Sequence, residues 1–143
     1  MPETSGSTWN DPRTLFERLG GDQGLNTFSR ALFDLLRQDP DAVQVFKSVG
    51  ATIDETHADK FARGLRPLTN APPSDDYPFD GADALTLIHA SHERVGVTPE
   101  LFAVTAVYAG AAAASVGVRQ PELGQLARLV AASQPFIVQR PFA

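Results

Sequence analysis

The sequence predicts an all-α chain. Apolar residues recur at intervals of three and four in segment after segment, the spacing that lines one face of a helix. Thr, Asp, Gly and Pro stand at the ends of those segments, where helices start and stop. No stretch alternates apolar and polar residues as a half-buried strand does, and no internal repeat is visible. At 143 residues the chain is long enough to bury a single hydrophobic core.

Residues 1–13, rich in Ser, Thr, Pro and Gly, read as a flexible lead-in. In "TLFERLGG", Thr14 with Glu17 three residues on is a capping-box pattern, and Gly20-Gly21 stops a short first helix. Leu25, Phe28, Leu32, Leu35 and Leu36 mark a second, amphipathic helix that Asp39-Pro40 ends. Val43, Val45 and Phe46 suggest a short helical turn. In "IDETHADKFARGLRP", Ile53, His57, Phe61 and Leu65 fall at intervals of four and share a face until Pro67 closes the helix. The stretch 67–81, "PLTNAPPSDDYPFDG", is a proline-laden loop longer than most connections inside a domain, a length that goes with function or mobility.

After Gly81, Leu85, Ile88, His89, His92 and Val95 recur at three and four, which places both histidines on the apolar side of another helix. Thr98 caps the next one, with Pro99 at its first position. That helix passes Leu101, Val104, Tyr108 and the small-residue run "GAAAAS", which permits close helix contact, and stops at Gly117-Val118. Pro121 opens a last helix through Leu123, Leu126 and Val130, up to Pro135.

Composition narrows the function by exclusion. With no cysteine, disulfides, thiolate catalysis and zinc–thiolate sites are ruled out, and histidine is the softest metal ligand left. A net charge of −5 and a pI near 5.0, with no basic stripe, argue against general nucleic-acid binding. The N-terminal "MPETSGSTWNDPR" lacks the apolar segment of a signal peptide, and no run approaches the roughly 20 apolar residues of a membrane span. The expectation is a soluble cytoplasmic protein, without membrane or nucleic-acid partners, acting on a small molecule or another protein.

The three histidines, His57, His89 and His92, carry the chemistry available. An imidazole on an apolar face is costly to bury unless its nitrogens find partners, so the plain reading of any one is a core histidine bonded to a backbone carbonyl. Three of three on apolar faces favour a metal or cofactor, since surface histidines would scatter. Zinc wants three or four ligands, and His89-x-x-His92 with His57 is one candidate set. Against it, no carboxylate stands at ligand spacing on that face, and Glu93 is expected to point away. Haem asks for one imidazole on the iron and a large apolar slot. Phenylalanines on the second helix and on the His57 helix supply such a wall, although aromatics at helical spacing also build ordinary cores.

In this order and spacing the motifs resemble the truncated haemoglobins, short globins built as a two-over-two helical sandwich, and among them group I most. "TLFERLGG" resembles the family's first helix and Gly-Gly turn, and "LFDLLRQDP" its second helix. Phe46 falls where the family keeps a phenylalanine against the haem. In "HERVGVT", His92 is followed a turn later by Val97-Thr98, which fits the family's iron-binding histidine and the polar helix start after it. The resemblance covers residues 14–139, leaving 140–143 as a tail.

The resemblance implies haem b held by His92 as the proximal ligand to iron. Phe46, Phe61, Leu65, Leu85 and Phe102 would wall the slot, Val97 would follow the ligand, and Lys60, facing outward, would pair with a propionate or stay solvated. Diatomic gases, namely oxygen, nitric oxide and carbon monoxide, would be the ligands, for oxygen binding or transport or for nitric oxide detoxification with an electron-donor reductase.

Four departures stand out. Phe33 occupies the position of the tyrosine that commonly donates a hydrogen bond to bound gas, and Phe61 that of a frequent distal glutamine. His57 is then the only distal polar group, as hydrogen-bond donor, as a second iron ligand in a six-coordinate protein for electron transfer or sensing, or as catalytic acid–base in a nitric oxide dioxygenase-like or weak peroxidase reaction. Finally, the family's "Tyr-x-Gly" loop reads "YPFDG" here. Gly81 to His92 is longer than the family's spacing by about one helical turn, which leaves His89 open as the iron ligand. A haem-free helical interaction module is the remaining alternative.

Overall fold

Thr14 starts the ordered helices. Its Oγ1 accepts from the Glu17 N–H at 3.1 Å while the Glu17 carboxylate accepts from the Thr14 N–H at 2.9 Å, so the expected capping box is made and opens α1, Leu15–Arg18. The computed structural model describes residues 12–72, 81–92 and 96–138, with the backbone alone at 81–84 and 91. The segments 1–11, 73–80, 93–95 and 139–143, and with them the expectations for most of the lead-in, the centre of the long loop, Glu93, Val95 and the tail, lie outside the described residues.

Gly20, at φ 101°, turns the chain from α1 into α2, Gly21–Leu36, a backbone conformation that glycine alone adopts at little cost. Gly24 does a second job that the sequence did not announce. A Cβ at this position would stand 1.9 Å from the Leu19 carbonyl oxygen, so the end of α1 and the first turn of α2 meet backbone to backbone. Beyond it, Leu25, Phe28, Ser29, Leu32, Phe33 and Leu36 form the buried face of α2.

Asp39-Pro40 ends α2 as expected but also starts α3, Pro40–Ser48, a nine-residue helix where only a short turn was anticipated. The Asp39 carboxylate accepts from the N–H groups of Asp41 and Ala42 at 2.9 and 3.1 Å, and proline at the first helical position forfeits no bond. Asp54 caps α4, Glu55–Leu68, in the same way. Ile53 precedes that helix, buried but outside its face. Pro67 does not end α4; it sits in the last turn, which closes because Thr69 donates both its N–H and its hydroxyl to the Leu65 carbonyl, at 2.9 and 2.7 Å.

α5 spans Gly81–His92 and α6 Pro99–Ser115, the latter started by Thr98 Oγ1 accepting from the Leu101 N–H at 3.0 Å. α7, Glu122–Ala132, is followed across Ser133 by a last turn, α8, Gln134–Ile137. Pro135 thus lies inside α8 instead of terminating the final helix, since a proline in a first turn removes only an N–H that has no intrahelical acceptor. No strand occurs among the described residues; a single parallel bridge joins Val97 to Val138.

α2 packs on α4 in one layer, α6 on α7 in the other, and α2 crosses onto α6 between them, a two-over-two sandwich. The core gathers Leu25, Phe28, Leu32 and Phe33 from α2, Ala58, Ala62 and Leu65 from α4, and Ala109, Ala112 and Ala113 from α6. The small residues of "GAAAAS" that are buried make this close crossing possible. α5 lies at the edge, against α4 and α8. Arg66 ties the open end: it lies over the Phe16 ring at 5.1 Å, pairs with the Asp22 carboxylate, and donates to the Pro72 carbonyl at 3.1 Å.

The contrast between two helical glycines tests this account. Gly24→Ala should destabilise the protein by about 3 kcal/mol, because the new methyl can be housed only by separating α1 from α2. Gly64→Ala in α4, where the methyl meets nothing within 4 Å, should stabilise it by about 0.5–1 kcal/mol. Urea unfolding of the two variants beside the parent chain measures both.

Candidate functional site

The aromatic wall expected from the sequence is assembled from three helices. Phe33 of α2 is buried, with its ring 5.6 Å from that of Phe61 on α4, and Phe28 adds a third ring 6.3 Å from Phe61. These tilted pairs are favourable aromatic geometry and leave no hydrogen-bond donor among them. Phe46, near the end of α3, meets the His57 ring edge-on at 5.0 Å. Leu65, one turn past Phe61, is committed to the core, and Lys60 is exposed as expected.

His57 stands against Phe46, and its position is set by the start of its own helix. It completes a capping box with Asp54: the Asp54 carboxylate accepts from the His57 N–H, and the Asp54 N–H donates to His57 Nδ1 at 3.3 Å. Nδ1 also lies 3.1 Å from an Asp54 carboxylate oxygen. An Nδ1 lone pair accepts from the amide, whereas an Nδ1–H donates to the carboxylate, so Asp54 accommodates either tautomer. Burial pushes the Asp54 carboxyl up, but the N–H groups of His57 and Thr56 and the His57 ring outweigh it and hold it below the ordinary carboxylate range. Sequence reasoning missed this cap, although Asp54 three residues before His57 carries its signal, with histidine in the role of the usual Glu.

On α5 the two histidines part company. His92 is half-buried, and its Nδ1 lies 2.8 Å from the Ile88 carbonyl oxygen one turn earlier. A carbonyl only accepts, so Nδ1 carries a proton and, in the neutral ring, Nε2 carries the lone pair. His89 is exposed, which corrects the expectation that both histidines share the apolar side. Three residues along a helix turn it by about 60° away from His92, and the half-buried line is Leu85, Ile88 and His92. Val97 is half-buried at its bridge to Val138, and Phe102 is buried near the start of α6.

The donor set decides between metals. No three His, Cys, Asp or Glu side chains come together among the described residues, so His57, His89 and His92 form no zinc triad. A single imidazole with its second nitrogen bonded to a carbonyl is the arrangement that an axial haem ligand requires. Two surface cavities lie elsewhere: one of about 430 Å³ between α1 and α7, lined by Arg13, Arg18 and Arg128 among others, and one of about 350 Å³ lined by Pro99, Gln134, Pro135 and Val138.

One contact behind the wall has no local sequence signal. Tyr108 of α6 donates its hydroxyl to the second carboxylate oxygen of Asp39 at 2.5 Å, across 69 residues of chain. Tyr108 thereby holds the Asp39 carboxyl below its ordinary value, helped by the Ala42 N–H, and the same bond, with burial and the nearby Asp39 and Asp41 charges, pushes the phenol up.

Solved structures resemble this backbone. The group II truncated haemoglobin from Bacillus anthracis superposes with a TM-score of 0.72 at 20% identity, over 93% of this chain and 96% of that one. A single-residue variant of the same protein gives 0.71 at 21% identity, over 92% and 95%. A ferric variant of the truncated haemoglobin from Tetrahymena pyriformis gives 0.69 at 17%, over 90% and 100%. No family model matches the sequence, and no curated protein matches it. The chain therefore has the truncated-haemoglobin fold. The expected nearness to group I is not what these matches display, since two of the three are one group II protein and its variant; at this identity they fix the fold and not the subgroup.

Because the folded pKa of Asp39 is lowered, its contribution to stability is present above about pH 4 and is lost as the pH falls through the folded value. Hydrogen exchange of the Asp41 and Ala42 amides should accelerate on acidification through that window beyond the intrinsic trend. In Asp39→Asn, which still caps, the acid-dependent part should vanish.

Proposed function

We propose that this chain binds haem b through His92 and takes diatomic gases on the side of the haem that faces His57. The observation that carries the reading is the His92 Nδ1 bond to the Ile88 carbonyl, which turns the ring and assigns its lone pair to Nε2. The fold supports it, because the solved structures named above are haemoglobins. Haem supplies an iron centre that binds gases and exchanges electrons. Phe33, Phe46 and Phe61 keep the gas side dry, and Leu85 and Phe102 cover apolar macrocycle, which stabilises the complex by about 25 cal/mol per Å² of apolar surface removed from water. Lys60, exposed on α4, would pair with a propionate.

His57 supplies the one distal polar group. With its Nδ1 accepting from the Asp54 N–H, the proton sits on Nε2 and the ring is a donor to bound gas; with Nδ1–H on the Asp54 carboxylate, Nε2 becomes a ligand instead. The first tautomer gives a gas binder, the second the six-coordinate electron-transfer or sensing protein. We favour the donor, since a neutral ring that accepts from the amide completes the capping box. Turnover of nitric oxide with oxygen to nitrate, in a cytoplasmic setting, would further require an electron-donor reductase. Assignment to group I rests on motif order and spacing alone.

Absorption spectra after haem addition test the reading. The parent chain and His89→Ala should give a sharp Soret band in ferric and dithionite-reduced forms, and His92→Ala should lose or shift it. A band that survives in His92→Ala and disappears in His89→Ala would move the iron to the exposed histidine. The donor role of His57 has its own measurement: His57→Leu should raise oxygen dissociation by roughly fivefold to tenfold, the kinetic worth of one hydrogen bond of about 1 kcal/mol. A slower rate would mean that His57 opposes the gas as a competing ligand.

A further inference from the structure

We infer that Tyr108 is a positioning residue for the gas side of the site, acting through Asp39 and α3 on Phe46 and His57. The inference rests on the haem reading above for its bearing on gas binding, but not for its geometry. α3 carries Phe46 and has little burial of its own. Of its nine residues only Ala42 is buried, and Val43 on it and Val49 just past it are exposed. A helix so placed is held by its ends. At its start, one Asp39 carboxylate oxygen caps the helix while the other accepts the Tyr108 hydroxyl, so the helix origin is tied to α6 on the opposite layer. At its end, Phe46 stands against the His57 ring.

The two ends are mechanically one. Asp39 and Phe46 are seven residues apart, close to two turns, and so lie on the same side of α3 about 10 Å from each other. A displacement of the capped end is carried along a nine-residue helix to the Phe46 ring, and from there to His57, whose own Nδ1 is pinned to Asp54 and cannot follow freely. Tyr108 touches neither haem nor gas in this scheme; its hydroxyl sets where Phe46 rests.

Tyr108→Phe removes the tie and keeps the ring, whereas Asp39→Asn keeps the cap with its single amide oxygen and turns its NH2 toward the phenol oxygen, so a hydrogen bond to Tyr108 remains with its direction reversed. Two readouts are taken on the full chain: the NMR signals of the His57 ring protons, which feel the edge-on Phe46 ring with or without haem, and carbon monoxide rebinding after flash photolysis of the haem-loaded protein. In Tyr108→Phe the His57 signals should move and the rebinding rate should change by about threefold to tenfold, the span expected for one hydrogen bond. Asp39→Asn should behave as the parent chain on both. If Tyr108→Phe lowers the melting temperature yet leaves the His57 signals where they were, the residue is merely structural and the inference is overturned. Moved signals with unchanged rebinding would overturn its bearing on gas binding. A chain that takes up no haem would sink the functional reading, and the His57 signals alone would then decide the tie.

Discussion

α2 is buried from two directions, against α4 on one side and α6 on the other, and this double contact sets the spacing of both layers. A helix covered on one side needs a stripe of apolar residues; one covered on two needs a wider arc, which Leu25, Phe28, Ser29, Leu32, Phe33 and Leu36 provide. The arc even takes in Ser29, whose hydroxyl is fully buried and has no hydrogen-bond partner among the described residues. Small residues answer it from both sides, Ala58 and Ala62 on α4 and Ala109, Ala112 and Ala113 on α6, so that backbones approach closely instead of being held apart by large side chains. The aromatic wall is a by-product of this arrangement, because Phe33 reaches Phe61 only when α2 and α4 lie this near.

Histidine chemistry in the chain is governed less by which helix face a ring occupies than by what its Nδ1 touches. His92 has a carbonyl of its own helix, which only accepts, and its tautomer follows. His57 has both an amide and a carboxylate of Asp54, and its tautomer is a balance. His89, exposed and about 60° around the helix, is left to solvent. The same residue type thus carries three different prospects within 36 residues, and a one-residue shift of the α5 register would exchange two of them.

Most of the helical frame was legible because it is written locally. Thr14 with Glu17, and Thr98 with Pro99, declare their helix starts within four residues, and the apolar spacing of α2 declares its buried side. The structure departs from the sequence where a local signal has two meanings. Asp39-Pro40 ends one helix and starts the next, Pro135 stands in a first turn where its missing N–H has no intrahelical acceptor, and Pro67 is passed by one residue before α4 ends. His89 was placed with His92 because a spacing of three looks helical, and only the full line of Leu85, Ile88 and His92 separates them. What no local reading reaches is the partnership of Asp39 with Tyr108, or the demand at Gly24 for a residue without a side chain, since each depends on where a distant or crossing segment comes to rest.

Arg66 has a consequence for how its end of the molecule comes together. By donating to the Pro72 carbonyl while stacked on Phe16 and paired with Asp22, one guanidinium serves an oxygen, a ring face and a carboxylate that meet only once the chain has folded. A planar, delocalised cation can do this because its face and its several N–H groups act at the same time, whereas the ammonium of a lysine is a compact point charge with no face to stack. The positive charge at this position is thus interchangeable in kind and the shape that carries it is not.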